Sequence, residues 1–329
     1  MVEQTPITII TGFLGAGKTT LLNGLLRAPA MENIAVLVNE FGEIGIDHIL
    51  VEKLSDDMVL LPSGCLCCAV RGDLVRALRD LIPRIEAGET KRVIVETTGL
   101  ADPAPIVQSL LADIAVALRF QLDGIVTVVD AVHAMGQLDR HEEARRQLAM
   151  ADRIVLSKTD LAPDTSAVRA RIAAINPGAR LIVGTRGAVD PEALLDCGLF
   201  DLAGKPRDVV AWINEAAFAP ATPRHDPDIN SFCLTYSEPL HWQGVGTCLE
   251  MLIGTQGENL LRVKGILNLV GQDRPVVIHG VQHMFHEPAL LPGWPEGDPR
   301  TSRIVFITKG LDRATVAHSL AAFEAAVGG

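Results

Sequence analysis

The sequence predicts an α/β chain: a domain on a mostly parallel, doubly wound sheet, then a small C-terminal α+β domain. Three observations carry this prediction. Short apolar strands alternate with amphipathic helices through the first two-thirds of the 329 residues, the pattern of a parallel sheet covered on both faces. The first strand, Ile7–Ile10, runs straight into Gly12-Phe13-Leu14-Gly15-Ala16-Gly17-Lys18-Thr19, a G-x-x-x-x-G-K-T loop,. After a proline-rich break at Ala219–Pro227, too rich in proline for a helix or a central strand, the periodicity changes to alternating strands closed by a helix.

In chain order, the expected strands are Ile7–Ile10, Ile34–Val38, Val59–Leu61, Arg92–Glu96, Gly124–Asp130, Arg153–Ser157 and Arg180–Gly184. The helices between and after them are Thr19–Leu26, Gly72–Ala87, Pro105–Leu118, Gln137–Ala151, Ser166–Ile175 and Pro191–Leu195. Beyond the break, Phe232, Leu234 and Tyr236 alternate as a half-buried strand and His241–Ile253 reads as a helix. Leu260–Val270, Val276–Val281 and Arg303–Thr308 read as strands, and Arg313–Val327 as the closing helix,. The expected division is residues 1–218 for the nucleotide domain, 219–229 for a linker and 230–329 for the small domain. Ligands on parallel sheets sit at the carboxyl ends of the strands. The loops after Ile10, Val38, Leu61, Glu96, Asp130 and Ser157 therefore matter most.

Composition narrows the function classes. The net charge of −11 argues against a nucleic-acid surface, because phosphate backbones need clustered Lys and Arg. No apolar run approaches the roughly 18 residues that cross a bilayer. Residues 1–10 carry neither the charged n-region nor the cleavage site of a secretory signal, so the expected setting is the cytoplasm. Three of the six cysteines fall within four positions, which suits a metal or redox site in a reducing compartment better than a disulfide framework.

The phosphate loop sets the first chemistry. Gly12, Gly15, Ala16 and Gly17 let the backbone turn so that successive N–H groups face phosphate oxygens. Lys18 reaches the outer phosphates, Thr19 offers a magnesium ligand, and Thr20 opens a helix whose positive end faces the same anion. Ser157-Lys158-Thr159-Asp160 ends a later strand, where GTP-binding proteins carry N-K-x-D. The Asp160 carboxylate accepts only, so it suits guanine, which offers N1–H beside an exocyclic amine. Lys158 can lay its stem across the purine, and Ser157 replaces the longer Asn. Glu96 ends the apolar strand of Val93-Ile94-Val95-Glu96-Thr97-Thr98-Gly99. It is the preferred magnesium carboxylate over Asp130, with the Gly99 amide placed for a γ-phosphate. Lys18 and Glu96 are the groups assigned to hydrolysis, with Thr97 and Thr98 as candidates to position water.

Cys65-Leu66-Cys67-Cys68 follows the Val59–Leu61 strand. Such close thiolates chelate a soft or borderline ion, zinc above all, with Cu(I) or Co2+ as alternatives. Glu40 and His133 each lie just after a strand on that edge and are candidate fourth ligands, as is a residue from a partner. Asn39–Asp47, rich in glycine and acid, lies where a nucleotide-sensing switch would lie. His279, His283 and His286 form a second cluster; 279 and 283 are read as sharing one strand face, with hydrogen-bonded or surface roles preferred over metal. Arg262 and Lys264 are expected to face solvent or the nucleotide domain.

Five motifs stand in this order: Gly12–Leu22, Asn39–Asp47, Gly64–Cys68, Glu96–Pro103 and Ser157–Asp160. With them the chain resembles the CobW-like metallochaperone GTPases, relatives of the urease and hydrogenase nickel-insertion GTPases. Arg262-Val-Lys-Gly265 and Gly280-Val-Gln-His283 resemble the family's C-terminal domain, and of its histidine-rich linker only His225 remains. The resemblance implies GTP, Mg2+, and Zn2+ (or Co2+) at Cys65, Cys67 and Cys68, slow hydrolysis, and transfer of the metal to a client metalloprotein. It leaves a homo-oligomer open, and membrane and nucleic-acid partners outside. Two rival functions remain: a metal-responsive GTP-binding regulator or buffer that does not deliver its metal, and a small-molecule kinase on the same phosphate loop.

Overall fold

The computed structural model describes residues 4–39, 58–61, 69–195, 197, 228–294 and 296–328. The chain divides into two compact units, Met1–Arg169 with Ala179–Gly198, and Ala170–Gly178 with Leu199–Gly329.

The first unit is built on seven parallel strands: β1 (Thr5–Thr11), β2 (Ile34–Asn39), β3 (Met58–Leu61), β4 (Arg92–Glu96), β5 (Phe120–Asp130), β6 (Arg153–Ser157) and β7 (Arg180–Val183). Their order across the sheet is β3-β2-β4-β1-β5-β6-β7, with every neighbouring pair parallel. β1 is wholly buried, as its run of Ile and Thr between two strands requires. From β1 the chain first builds to one side, then crosses to β5 on the other. The loop after β1 therefore opens at the point where the winding reverses, the usual place for a ligand crevice.

The helices among and after these strands are α1 (Lys18–Leu26), α2 (Ala69–Glu86), α3 (Ala104–Ala112), α4 (Ile114–Arg119), α5 (Ala134–Arg140), α6 (Glu142–Ala149), α7 (Ser166–Ile175) and α8 (Pro191–Leu194); α7 passes from the first unit into the second at Ala170. Leu21, Leu22 and Leu25 form the buried stripe of α1 and pack on Ile10, Ile94, Val126 and Val128. Two expected helices are each broken in the middle. Asp113 stands in extended conformation and its carboxylate accepts from the Val116 amide, capping a new helix,. His141 is likewise extended, and its ring lies 4.5 Å from that of Phe13. Periodicity alone does not reveal either break, because the apolar phase continues across it.

The second unit holds β8 (Ile229–Tyr236), α9 (Trp242–Gln256), β9 (Leu260–Leu269), β10 (Gln272–Val281), β11 (Met284–Phe285), β12 (Ala289–Leu290), β13 (Ser302–Lys309) and α10 (Arg313–Gly328). Its sheet is antiparallel, ordered β11-β10-β9-β13-β8, with β12 also paired to β10. Phe232, Leu234, Val263, Ile278, Ile304 and Phe306 face Val245, Leu249, Val316 and Leu320 of the two helices. β8 begins inside the expected linker, and residues 219–227 lie outside the described ones.

Two expectations for this unit are corrected. Arg262 and Lys264 are buried on β9, a central strand between β10 and β13, which corrects the solvent-facing half of their expectation. His279 and His283 do not share a strand face. The chain reverses at Gln282, whose φ is +51°, so His286 rather than His283 comes opposite His279. The two rings stack with centroids 3.8 Å apart.

Candidate functional site

The glycines of the loop after β1 all take positive φ: +141° at Gly12, +73° at Gly15 and +94° at Gly17. At Gly12 a side chain would run into the Val128 backbone of β5, its Cβ only 3.1 Å from the amide nitrogen. This turn therefore demands glycine twice over, by dihedral and by space. The Ala16 amide donates to the Phe13 carbonyl at 3.1 Å, closing the loop over the N-terminus of α1. Lys18 is buried, and its ammonium donates to the carbonyls of Gly12 at 2.9 Å and Phe13 at 3.4 Å. The cation is thus held inside the arc of the loop.

One turn later, the Thr19 hydroxyl donates to Glu96 Oε1 at 2.9 Å. Glu96 ends β4 and is buried. Of the two carboxylates weighed for magnesium, Glu96 is the one that meets Thr19. Asp130 is committed elsewhere. It accepts from the Val132 amide at 2.8 Å, lies 3.0 Å from His133 Nδ1 and pairs with Lys158 at 2.7 Å. Burial alone would raise the Asp130 carboxyl, but the hydrogen bonds from Lys158, His133 and Val132 hold it below the ordinary carboxylate value,. His133, one of the two proposed fourth metal ligands, therefore has a ring nitrogen on Asp130. Glu40, Cys65, Cys67 and Cys68 lie outside the described residues.

After Glu96 the backbone passes close to the phosphate loop. A Cβ at Gly99 would stand 2.6 Å from the Leu14 amide nitrogen, so only glycine allows this approach. Thr97 and Thr98 divide their work. The Thr97 hydroxyl is buried against Thr11 Oγ1 at 2.8 Å, a link between adjacent strand ends. The Thr98 hydroxyl is buried with no hydrogen-bond partner among the described residues. Below them, Gln147 Nε2 donates to the carbonyls of Gly99 and Ala101 at 3.2 and 2.9 Å, and Arg146 pairs with Asp102 at 2.6 Å. Sequence reasoning missed this support from α6, because a polar pair on a helix carries no motif.

On the other side of the loop lies a cavity of about 220 Å³, walled by Gly17, Thr20 and Leu21, by Val128 and Val155, and by Ser157, Lys158 and Asp160. The Ser157 hydroxyl donates to the Ala16 carbonyl at 2.7 Å. Lys158 sends its ammonium to the Gly15 carbonyl and to Asp130, both at 2.7 Å. Both side chains bind the phosphate loop itself, so the short Ser in place of Asn serves to tie two loops together. Asp160 stays on the cavity wall, its nearest cation Arg186 at 3.6 Å. Gly184, Arg186 and Gly187 complete the cavity, and this loop after β7 was not foreseen. The expected strand Arg180–Gly184 absorbs its first residue. The signal that could have found it is Gly24, a glycine inside α1 where a close backbone approach is the usual reason.

Among the described residues no helix is long and apolar enough to cross a membrane, and no group of three His, Cys, Asp or Glu side chains is placed to hold a metal ion.

With this geometry in place, comparison with known proteins gives a consistent result. Residues 6–183 match the "CobW/HypB/UreG, nucleotide-binding domain" family and residues 229–324 the "Cobalamin synthesis protein cobW C-terminal domain". The zinc chaperone YjiA of Escherichia coli K12 is 35% identical over 92% of this chain and 93% of its own. The zinc chaperone CobW of Pseudomonas aeruginosa is 31% identical over 96% and 91%. The crystal structure of Zn(II)-bound YjiA GTPase superimposes with a TM-score of 0.73 at 30% identity, covering 98% of this chain and 99% of that one. The matches run through both units in the order in which the motifs stand, and the chain belongs to the CobW/HypB/UreG family of nucleotide-binding proteins, with the CobW C-terminal domain attached.

Proposed function

We propose that the protein is a GTP-binding metallochaperone: it hydrolyses GTP slowly and couples the nucleotide to binding a transition metal, zinc, and passing it to a client protein. The observation that carries this reading is the pairing of a phosphate loop with an acceptor-only carboxylate at a cavity wall. Lys18 stands at one end and Asp160 at the other, and Ser157 and Lys158 bridge between them. Guanine, with two adjacent donors, satisfies Asp160 where adenine does not. That same requirement speaks against the kinase alternative.

Each residue has a defined task in this scheme. The loop amides and Lys18 hold the phosphates, which compete with the Gly12 and Phe13 carbonyls for the ammonium. Thr19 and Glu96 present oxygen donors side by side, a set that fits a hard cation such as magnesium. Magnesium, once bound, supplies charge neutralisation at the transferring phosphoryl group. Thr98 is placed to hold a water or an outer-phosphate oxygen, since its hydroxyl sits beside Glu96 and Gly99 without another partner among the described residues. Zinc is taken as the cargo, on the thiolates of Cys65, Cys67 and Cys68. Soft donors favour it, and relatives of similar length are named zinc chaperones. A zinc-bound form of YjiA in which one glutamate and two cysteines are replaced by alanine has also been solved. The cysteines here are proposed as the site whose affinity depends on nucleotide.

The test is a zinc competition titration of the full chain with Mg-GTP, with GDP and without nucleotide. Coupling is reciprocal, and a carrier gated by GTP requires a difference of about tenfold between the two nucleotide states, about 1.4 kcal/mol. Equal affinities in all three states would reduce the protein to a GTP-binding buffer.

A further inference from the structure

The base cavity has one wall that the nucleotide-binding motifs do not supply. Gly184, Arg186 and Gly187 come from the loop after β7, and this loop is fixed by contact with α1. A Cβ on Gly24, in the middle of α1, would stand 2.9 Å from the Gly187 carbonyl carbon and closer still to its oxygen. A Cβ on Gly187, whose φ is +80°, would stand 3.0 Å from the Thr20 carbonyl carbon. Two glycines thus let two backbones touch directly, with a bridge between Thr185 and Ala188 closing the turn. Arg186 and Gly187, with φ of +50° and +80°, are the two central residues of this turn, and the Ala188 amide donates to the Thr185 carbonyl at 2.9 Å; a two-residue turn of this hand requires positive φ at both.

What the clamp presents is a guanidinium at the mouth of the cavity. The Arg186 side chain is 87% exposed and its Nε lies 3.6 Å from Asp160 Oδ2. An exposed pair at that distance contributes little to folding, so folding stability does not explain a guanidinium held beside the Asp160 carboxylate at the mouth of the cavity. Binding does. The guanidinium fork and the N1–H and amine edge of guanine are equivalent partners for one carboxylate. When guanine takes Asp160, the Arg186 head must leave the carboxylate, while its short loop stays held against α1 at the rim of the cavity. A planar, weakly hydrated guanidinium stacks well on an aromatic face. The cavity, about 220 Å³, is smaller than the roughly 300–1,000 Å³ of pockets that enclose a whole small ligand, so it suits a base rather than a whole nucleotide, and Arg186 stands at its mouth.

We propose that Arg186 is the purine cap of this site: it guards Asp160 before guanine binds and stacks on the base afterwards, slowing nucleotide release. The inference rests on the GTP-site reading and adds a residue to it. The experiment measures dissociation of GDP carrying a fluorescent group on its ribose, by chasing with excess unlabelled GDP. Wild type is compared with Arg186→Gly and Arg186→Lys. Glycine suits the left-handed backbone and so keeps the loop intact while removing the side chain. Lysine keeps the charge and loses the plane. Release about tenfold faster in both variants, the size expected of a cation–aromatic stack, supports the cap. Arg186→Gly at the wild-type rate overturns it, and Arg186→Lys at the wild-type rate overturns stacking in favour of simple charge. If wild type itself shows no saturable GDP binding, the GTP site fails and the cap with it, an outcome distinct from both.

Discussion

The contact between Gly24 and Gly187 makes a prediction whose sign runs against helix propensity. In a helix interior, Gly→Ala ordinarily stabilises by about 1 kcal/mol. Gly72 lies in the first turn of α2, exposed and with no described residue within 4 Å of an added Cβ, so Gly72→Ala should gain up to about that amount. At Gly24 the same methyl meets a backbone carbonyl, whose carbon lies 2.9 Å away. A backbone group cannot rotate out of the way as a side chain would, so α1 and the loop must separate. Overpacking of this kind costs about 1–3 kcal/mol, which cancels or exceeds the gain. The two variants should differ by roughly that steric cost, with Gly24→Ala the less stable. Native-state hydrogen exchange of α1 amides reads the difference locally, which avoids treating a two-unit chain as a single transition. GDP affinity should fall in Gly24→Ala and stay unchanged in Gly72→Ala, because only the first moves a wall of the base cavity. If Gly24→Ala matches Gly72→Ala in protection and keeps wild-type affinity, the loop is not clamped and the reasoning about Arg186 loses its footing.

Four other predictions follow from the site and the second unit. Glu96→Gln should leave GTP binding in the absence of magnesium unchanged and weaken the magnesium dependence of binding and turnover, measured by titrating Mg2+ at fixed nucleotide; an unaltered magnesium curve would return the role to Asp130. Asp160→Asn should relax preference from guanine towards xanthine nucleotides, whose oxygen at position 2 accepts the amide that the variant offers, and direct competition between GTP and XTP tests it. Replacing Cys65, Cys67 and Cys68 with Ser should remove tight zinc binding and spare GDP affinity; unchanged zinc stoichiometry would make the triplet structural. His279 gives a pH prediction. Burial first, then the charges of His286, Arg262 and Lys264, hold its pKa well below 6.5, so the native ring is neutral while the unfolded chain takes up a proton below about that pH. Stability should therefore fall as pH drops from 6.5, by at most about 1.4 kcal/mol per unit. His279→Phe should flatten that slope in acid titrations of hydrogen exchange across β10.

Much of this architecture is written in local patterns. The strands of the first unit are mostly apolar runs ended by polar residues, Gly or Pro, so their carboxyl ends follow from the sequence, while β5 starts at Phe120, four residues before the expected Gly124, because Gln121 and Asp123 interrupt the apolar run. The phosphate loop is legible because its chemistry admits few residue types: Gly12 has both a forbidden dihedral and a forbidden volume. What stayed illegible depends on contact between distant segments. Nothing local in Gly136–Ala151 announces that His141 will leave the helix to meet Phe13. The burial of Arg262 and Lys264 follows from their position on a central strand, which the sequence of one strand does not reveal. Arg186 is the instructive case. Thr185-Arg186-Gly187 is an ordinary turn until Gly24, some 160 residues earlier, is seen to make room for it.

The sheet order bears on how the proposed metal site would be coupled to the nucleotide site. β4 carries Glu96, which is bonded to Thr19. β2 lies beside β4 with Val38 opposite Glu96, and β3 lies beside β2 with Leu61 opposite Asn39. The acidic, glycine-rich segment that starts at Asn39 and the cysteine segment that follows Leu61 therefore depart from the same edge, one and two strands from Glu96. Parallel strands in a packed core shift as units rather than bending freely. A change at Glu96 when phosphate arrives thus has a short path to both departure points, through the pairing of Val38 with Glu96 and of Asn39 with Leu61. This register supports a coupling in which the nucleotide biases the thiolates through two strand ends and needs no long-range relay. It also predicts which unit carries the coupling. A chain ended before β8 that still folds should show the same GTP-dependent change in zinc affinity as the full protein, and loss of the difference in that shortened chain would move the coupling into the second unit.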